Sequence, residues 1–262
     1  MSGARERWTA LLEILGERGT LGVTEAAERL GCSAATVRRD MDELAGQNLL
    51  TRTRGGAVHS AVAYDLPLRY KVSRRADEKL RIARAAAGLV PPGASVGLNG
   101  GTTTSEVARE LAARAQPAMD AREWGLTVVT NAINIANELV VRPHVKTVVT
   151  GGVARPHSYE LTGPQADEVL RTLALDFVFL GVDALDPRFG AATHDEGEAR
   201  TNRVLAERAE TVVVVADSSK LGRRAFAVVC DTAAVHALIT DRGADPGLVA
   251  AFEEAGVAVT LV

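Results

Sequence analysis

Residues 33–56, SAATVRRDMDELAGQNLLTRTRGG, decide how the front of this chain folds. Ser33 is a small polar residue whose hydroxyl can take one of the free amides at a helix start. From Ala34 to about Gln47, Val37, Met41 and Leu44 recur at i, i+4 and i+7, the spacing of a helix with one apolar face. Arg38 and Arg39 fall beside that stripe. LLTRTRGGAV then alternates Arg52 and Arg54 with Thr51 and Thr53, and Gly55-Gly56 supply a bend, which is the pattern of a hairpin.

Working upstream, Trp8, Leu11, Leu12 and Leu15 predict a helix over residues 7–19, closed by Gly16, Gly19 and Thr20. Thr24 is the expected cap of a short helix, EAAERLG, with Ala27 and Leu30 inward and Gly31 at its end. Two helices joined by a tight glycine-containing turn make a helix-turn-helix. In that motif the second helix enters the major groove of double-stranded DNA with its N-terminal residues toward the bases. Those residues are Ser33, Ala34, Ala35, Thr36, Arg38 and Arg39. The small ones permit close approach, Thr36 offers a hydroxyl and a methyl, and arginine grips guanine or phosphate with two donors. Arg52 and Arg54 then sit on a wing that touches the backbone or minor groove. The plainer alternative is a helical bundle with solvated arginines; the complete run of cap, helix, arginine pair and hairpin favours DNA.

The 262 residues suffice for one small and one medium domain. Hydrophobic content is 47% and aromatics only 4%, so aliphatic side chains must build the cores. The formal net charge of -3 does not resemble a nucleic-acid binder, but a local basic face, not the total, governs binding. Arg52 and Arg54 are the only charges between Ala45 and Tyr64, and basic residues outnumber acidic ones from Arg69 to Arg81. Cys32 and Cys230 are far apart and lack metal-ligand spacing, which argues against a disulfide framework or zinc site. MSGARERW carries no apolar targeting core, and no apolar run approaches a membrane span. The expected location is the cytoplasm, on the nucleoid when DNA is bound, with no membrane partner. No cofactor is expected.

Beyond residue 78 the pattern changes to helices alternating with Val-rich strands: SVGLN, LTVVT, VKTVVTGG, DFVFLGV, TVVVVAD, ALIT and VAVTLV. That alternation predicts an α/β unit with a mostly parallel sheet covered by helices on both faces. Ligands bind at the carboxyl ends of such strands, and polar clusters stand there. Gly100, Gly101, Thr102, Thr103 and Thr104 lie between a strand and a helix, where backbone amides and hydroxyls suit an anion; a capped turn is the alternative. Thr130 and Asn131 end the next strand, with Asn131 equally suited to cap the next helix. Gly151-Gly152 is a further turn, and Asp183 closes an apolar strand where a carboxylate can accept hydroxyl protons. ATHDEGEARTNRVL brings His194, Asp195, Glu196, Glu198, Arg200 and Asn202; an acid there suits a helix start or belongs to a loop over a ligand. Absence of a GxxxxGK[ST] run excludes a nucleotide-hydrolysing P-loop. Residues 59–77 read as a linker. Pro67 opposes a continuous helix, and Arg69, Lys71, Arg74 and Arg75 either approach phosphates or form a solvated face.

TVRRDMDELAGQNLLTRTRGGAV, GGTTTSEVARELA, TVVTNAINIANEL, VVTGG, FVFLGVD and VVVADSSKLG, in that order, resemble the DeoR family of bacterial transcriptional repressors. The resemblance spans nearly the whole chain. It implies a winged helix-turn-helix over 1–58, the linker 59–77, and over 78–262 a larger α/β sensor domain related to ribose-5-phosphate isomerases. It further implies release of operator DNA on binding a phosphorylated sugar or related metabolite, and a homo-oligomer, dimer or tetramer. Within that frame Gly101, Thr102, Thr103, Thr104, Thr130, Asn131, Gly152, Asp183, Glu198 and Lys220 become the effector-binding set. Lys220 resembles the lysine that meets ligand phosphate in the isomerases; otherwise it is a surface lysine. Two departures stand out: Asn99-Gly100 where an acid is common before the threonines, and a long loop over 115–124. A rival reading is an aldose–ketose isomerase with Glu196 or Glu198 as base; an activator using the same DNA contacts is a third.

Overall fold

A computed structural model describes residues 3–47, 49–59, 68, 75–115 and 125–262. The chain divides into two compact units, residues 1–74 and 75–262.

In the first unit α1 (Ala4–Arg18) stops at Gly19, whose left-handed φ of 74° lets its amide close on the Leu15 carbonyl at 2.8 Å. Thr20–Gly22 then forms a short strand, β1, where the sequence predicted only a helix end. Helix α2 (Val23–Leu30) follows directly, so Gly22 holds the cap position expected for Thr24, and Thr24 lies inside the helix. Helix α3 (Ala34–Gly46) starts at Ser33, whose Oγ accepts the Thr36 amide at 3.1 Å as predicted. Strands β2 (Leu50–Thr53) and β3 (Gly56–His59) are the expected hairpin, and β1 adds to it in the antiparallel order β1-β3-β2. Leu11, Leu15, Val37, Met41 and Leu44 are fully buried between helices and sheet. At about 1.5–3 kcal/mol per large aliphatic side chain, this cluster is what holds three short helices in one arrangement.

The second unit opens with α4 (Ala76–Gly88) and continues with β4 (Ser95–Leu98), α5 (Thr102–Arg114), β5 (Leu126–Thr130), α6 (Ile133–Leu139) and β6 (Val145–Val149). A small antiparallel pair, β7 (Val153–Ala154) and β8 (Leu161–Thr162), precedes α7 (Pro164–Arg171) and β9 (Leu175–Leu180). Next come β10 (Ala184–Asp186), β11 (Gly190–Thr193), α8 (Glu196–Glu207), β12 (Ala209–Val215), β13 (Ala227–Cys230), β14 (Ala237–Thr240), α9 (Pro246–Glu254) and β15 (Ala258–Leu261). Seven strands form one parallel sheet in the order β15-β14-β12-β9-β4-β5-β6. Alternate residues feed two cores: Val213 and Val215 pack with α4, α5 and α6 on one face, Val212 and Val214 with α7, α8 and α9 on the other. That two-sided burial is why the strands read as unbroken apolar runs. The winding runs outward from β4 through β5 to β6, then returns to β9 on the other side of β4. The order therefore reverses between β4 and β9, the point at which open α/β sheets place ligands. A separate sheet, β10-β11-β13, lies beside it.

Candidate functional site

The first unit presents one exposed face at the start of α3. Ser33, Ala35, Arg38 and Arg39 are exposed and Thr36 half-buried, with Ser33 Oγ and Thr36 Oγ1 2.9 Å apart. Asp40, on the opposite side, is buried; it accepts Arg7 Nε at 2.8 Å, Arg7 Nη2 at 3.1 Å and Trp8 Nε1 at 2.8 Å. These bonds lock α3 to α1 and so fix which residues face outward. On the hairpin the two arginines differ. Arg52 is turned back, with Nε 2.7 Å from Asp42 Oδ1 and Nη1 2.5 Å from the Gly56 carbonyl, bracing the wing against α3. Arg54 stands exposed at the turn.

In the second unit the crevice at the strand-order reversal is built by the ends of β4 and β9. Asn99 spans it: its Nδ2 donates to the Gly181 carbonyl at 2.9 Å and its Oδ1 accepts the Gly181 amide at 2.8 Å. This side-chain pairing prolongs the β4–β9 contact beyond the last backbone partners, Leu98 and Phe179. Gly101 (φ 154°) carries the chain into α5. Ser105 Oγ and Thr104 Oγ1 both donate to the Gly101 carbonyl, at 2.7 and 3.1 Å. Thr104 is fully buried, so its hydroxyl serves the turn; Gly101 and Thr102 stay partly open, and Thr103 is 7% exposed. The first turn of α5 thus begins at the carboxyl end of β4, and a helix start of this kind favours anions.

Polar and charged groups from later elements form a connected set at the same end of the sheet. Thr193 Oγ1 lies 2.9 Å from Asp183 Oδ2 and 3.1 Å from Glu198 Oε2. Lys220 Nζ is 3.8 Å from Asp183 Oδ1, and Arg155 reaches Glu198 at 2.7 Å and Asp195 at 3.1 Å. Asp195 caps α8 by accepting the Glu198 amide at 3.0 Å, as its place in the sequence suggested. Beneath them Glu160 is 2% exposed. Its Oε2 accepts Asn202 Nδ2 at 3.1 Å and Asn131 Nδ2 at 3.2 Å. A side chain on Gly100 would meet Glu160 Cγ at 2.4 Å, so that glycine makes room for the carboxyl. Burial, reinforced by the charge of Glu198, pushes the Glu160 carboxyl well above the usual range, against the opposing bonds from Asn202, Gly100 and Asn131.

Comparison with known proteins decides the family. The model of the DeoR-like helix-turn-helix domain matches residues 7–61, and that of the DeoR C terminal sensor domain matches residues 74–242. The chain belongs to the DeoR family. Its curated relatives include the putative aga operon transcriptional repressor of Escherichia coli O157:H7, 33% identical over 100% of this chain and 95% of that protein. They also include the glycerol-3-phosphate regulon repressor of Escherichia coli K12, 31% identical over 90% of each. The HTH-type transcriptional regulator GlpR of Haloferax volcanii is 34% identical over 97% and 96%. Among solved structures, ribose 5-phosphate isomerase A from Methanocaldococcus jannaschii is similar at a TM-score of 0.41, with 21% identity over 56% of this chain and 54% of that one. The full-length sorbitol operon regulator SorC from Klebsiella pneumoniae scores 0.36, with 10% identity over 84% and 91%. The chain is thus a DNA-binding transcriptional regulator of the DeoR type.

For this DeoR regulator the structure brings Gly101, Thr102, Asp183, Glu198 and Lys220 to one end of the sheet. Thr130 and Asn131 lie there too, but inward: Thr130 Oγ1 accepts the Ala132 amide at 3.0 Å. Ala132 occupies the cap position of α6 that Asn131 was expected to hold. The Asn131 carboxamide is buried between Glu160 and Asn202, and its oxygen has no hydrogen-bond partner among the described residues. Gly152 (φ 128°) serves the β7–β8 hairpin, since a Cβ there would meet the Thr162 carbonyl at 2.5 Å. Glu160, Arg155 and Asn99 escaped the sequence reading as site residues. Asn99 had signalled a departure before the threonines, and its place is taken up by strand pairing. Arg69, Lys71, Arg74 and most of the 115–124 loop lie outside the described residues. No described helix is long and apolar enough to cross a membrane, and the described residues hold no cluster of three metal-binding side chains.

Proposed function

We propose that this DeoR regulator is a repressor released from its operator by a phosphorylated sugar bound at the β4–β9 crevice. The observation that carries the reading is the convergence there of an anion-seeking helix start with hydroxyl-accepting carboxylates. The amides of Thr102 and Thr103, with Lys220, take the phosphate; Asp183 and Glu198 accept hydrogen bonds from the sugar hydroxyls. The printed names of the aga and glycerol-3-phosphate repressors support the repressor sense, and the second also supports a small phosphate ester as ligand. The crevice reads its ligand without converting it. Glu198, the stronger candidate for an isomerase base, is held by Arg155 and Thr193, and Glu196 is exposed on the helix start.

On DNA, the α3 start supplies Ser33, Ala35, Thr36, Arg38 and Arg39 to the major groove, Arg54 touches the backbone from the wing, and Arg52 keeps the wing in place. A homo-oligomer in the cytoplasm, dimer or tetramer, sets two such helices on half-sites about 34 Å apart or a multiple of that. Effector binding must favour the arrangement that disfavours DNA, because equal affinity for both would shift nothing.

The test is a thermal-shift panel of glycerol 3-phosphate, ribose 5-phosphate, fructose 6-phosphate and N-acetylgalactosamine 6-phosphate, with inorganic phosphate as control. It is joined to gel shifts on duplexes selected by the protein. A panel compound at 100 times its dissociation constant stabilises the sensor by about 2.7 kcal/mol and releases the duplex. Lys220→Ala is expected to blunt release while leaving ligand-free DNA binding intact. Arg39→Ala is expected to weaken DNA binding by about 1–3 kcal/mol without lowering the melting temperature. A panel without effect rejects the effector reading, as turnover of ribose 5-phosphate would reject the non-enzymatic one.

A further inference from the structure

The segment joining β7 to β8 carries one acid into the sheet end. Tyr159 stands there in the left-handed region, at φ 62°, although it is not glycine. Such a conformation persists only where its surroundings impose it. The surroundings are the entry to α6: the Ile133 amide donates to the Tyr159 carbonyl at 2.9 Å, and the Leu161 amide to the Asn131 carbonyl at 2.6 Å. The Arg155 amide closes the segment on the Glu160 carbonyl at 2.8 Å. Glu160 is thus clamped from both sides along the chain, and the residue is 2% exposed.

Its carboxyl lies against the turn that leads into α5. It accepts the Gly100 amide, and a Cβ on Gly100 would fall 2.7 Å from its Oε1. Asn131 and Asn202 donate to its Oε2 at 3.2 and 3.1 Å. One carboxyl therefore ties the β4–α5 turn to the entry of α6 and to α8. Gly100, Asn131 and Asn202 bring dipoles but no charge. The charged groups about it are Glu198 on α8, which raises its hold on a proton, and Arg155 on its own segment, which pairs with Glu198 and Asp195. Beyond Glu198, Thr193 leads on to the Asp183–Lys220 pair. No cation pairs with Glu160 itself among the described residues. A buried carboxylate without a counter-cation is costly, so such a group keeps its proton to higher pH. Thr102 lies only two residues beyond Gly100, and consecutive Cα atoms are about 3.8 Å apart. A phosphate on the Thr102 amide therefore sits close to the acid, where salt screens little.

We propose that Glu160 is a positioning residue of the anion site: it holds the Gly100 turn for phosphate, and it does so as the neutral acid, because its carboxylate would oppose the phosphate. The role rests on the effector reading above. Phosphate near Thr102 repels a second negative charge. Phosphate on Lys220 also neutralises a cation that would otherwise offset that charge. Both effects favour the proton on Glu160. By linkage, effector binding draws in a proton wherever Glu160 of the free protein has ionised, and affinity falls as pH rises through that ionisation. Below it the group is neutral in both states and contributes no pH dependence.

The decisive experiment is calorimetric titration of the full-length protein with whichever named panel compound stabilises it most, at pH 7, 8 and 9. Each titration is run in two buffers of different ionisation heat, which gives the protons taken up per ligand bound. In the wild type, uptake is expected to rise with pH toward one proton and affinity to fall by up to about tenfold per pH unit. Glu160→Gln keeps an acceptor for the Gly100 amide and cannot ionise. It is expected to lose that uptake and to bind more tightly than the wild type at pH 9. Glu160→Ala removes the acceptor and is expected to weaken binding on the order of 10-fold at all three pH values. Proton equilibria of the ligand and of Lys220 are common to wild type and variants, so the difference between them isolates Glu160. Equal uptake in wild type and Glu160→Gln overturns the proposal, and so does wild-type affinity in Glu160→Ala. Should Glu160→Ala fail to fold, Glu160→Gln alone decides by the uptake. A wild type that no panel compound stabilises removes the effector reading itself, and the role of Glu160 with it.

Discussion

Glu160 shows how one residue can set the chemistry of a crevice without being visible from its edge. Its carboxyl is buried, faces the charge of Glu198, and is held by Asn202 and Asn131, so its proton is retained well above the ordinary carboxylate range. In the unfolded chain the same group ionises near its ordinary value. Below that value both states hold the proton and pH has no effect through this group. As pH climbs above it, the unfolded chain releases the proton first, and stability falls until the folded group ionises too. The lowered carboxyls of Asp176 and Asp241 act in the other direction and only in the acid range, while Cys230, raised to about 11, acts only in alkali. Between pH 5 and 8 the melting temperature of the second unit is therefore expected to decline, and Glu160→Gln, which keeps the shape and cannot ionise, to flatten that decline. Calorimetric scans across this range decide it; parallel slopes for wild type and variant would show that Glu160 ionises as an ordinary carboxyl.

At the scale of elements, what was legible depended on length and on sequence distance. Helix α3 and the β2–β3 hairpin were readable because a cap, a heptad-like apolar stripe and an alternating arginine pair each recur within a few residues. The seven parallel strands were readable because burial on both faces leaves unbroken Val-rich runs. β1 has only three residues, Thr20–Gly22, and β7 and β8 only two each, too few for any periodicity to show. The same limit governs the site. Gly101, Asp183 and Lys220 could be named as candidates because each lies shortly after the end of a strand, whereas Glu160 meets Asn131 across 29 positions and Asn202 across 42, distances no local pattern encodes. Asp40 was hidden in the same way, since a charged residue on a recognition helix reads as solvated until Arg7 and Trp8 are seen around it. The overlooked β1 carries a prediction of its own. A Cβ on Gly56 would fall 2.0 Å from the Leu21 carbonyl and 2.8 Å from Gly22 Cα, both backbone atoms that cannot swing aside. Gly56→Ala must push β1 off β3 and displace the carbonyl that Arg52 grips. It is expected to cost the first unit about 1–3 kcal/mol and to weaken DNA binding with it. Urea unfolding followed beside gel shifts measures both; a variant as stable as the parent would mean that β1 contributes nothing to the wing.

For the molecule as a whole, the formal net charge of -3 makes the source of DNA affinity a quantitative question. A chain of that charge gains nothing from its average field, so attraction must come from a few guanidinium groups held in one orientation. Arg38, Arg39 and Arg54 are exposed and are the groups proposed for that contact, while Arg7 and Arg52 are consumed in keeping α3 and the wing rigid. Each phosphate that such a group neutralises releases condensed counterions, so affinity should fall with salt in proportion to the number of contacts. With roughly 6–10 contacts in an oligomer, binding is expected to weaken about 10³–10⁵-fold between 50 and 200 mM salt. Arg54→Ala, at the wing tip, should lower the slope of log affinity against log salt by about one contact per bound wing and leave sequence preference unchanged. Arg39→Ala should relax sequence preference as well, if its fork reads a base edge. Fluorescence anisotropy of a labelled duplex over a salt series separates these outcomes. A slope near zero would mean that the exposed arginines do not meet phosphate, and an Arg54→Ala slope equal to the parent's would place the wing away from the DNA.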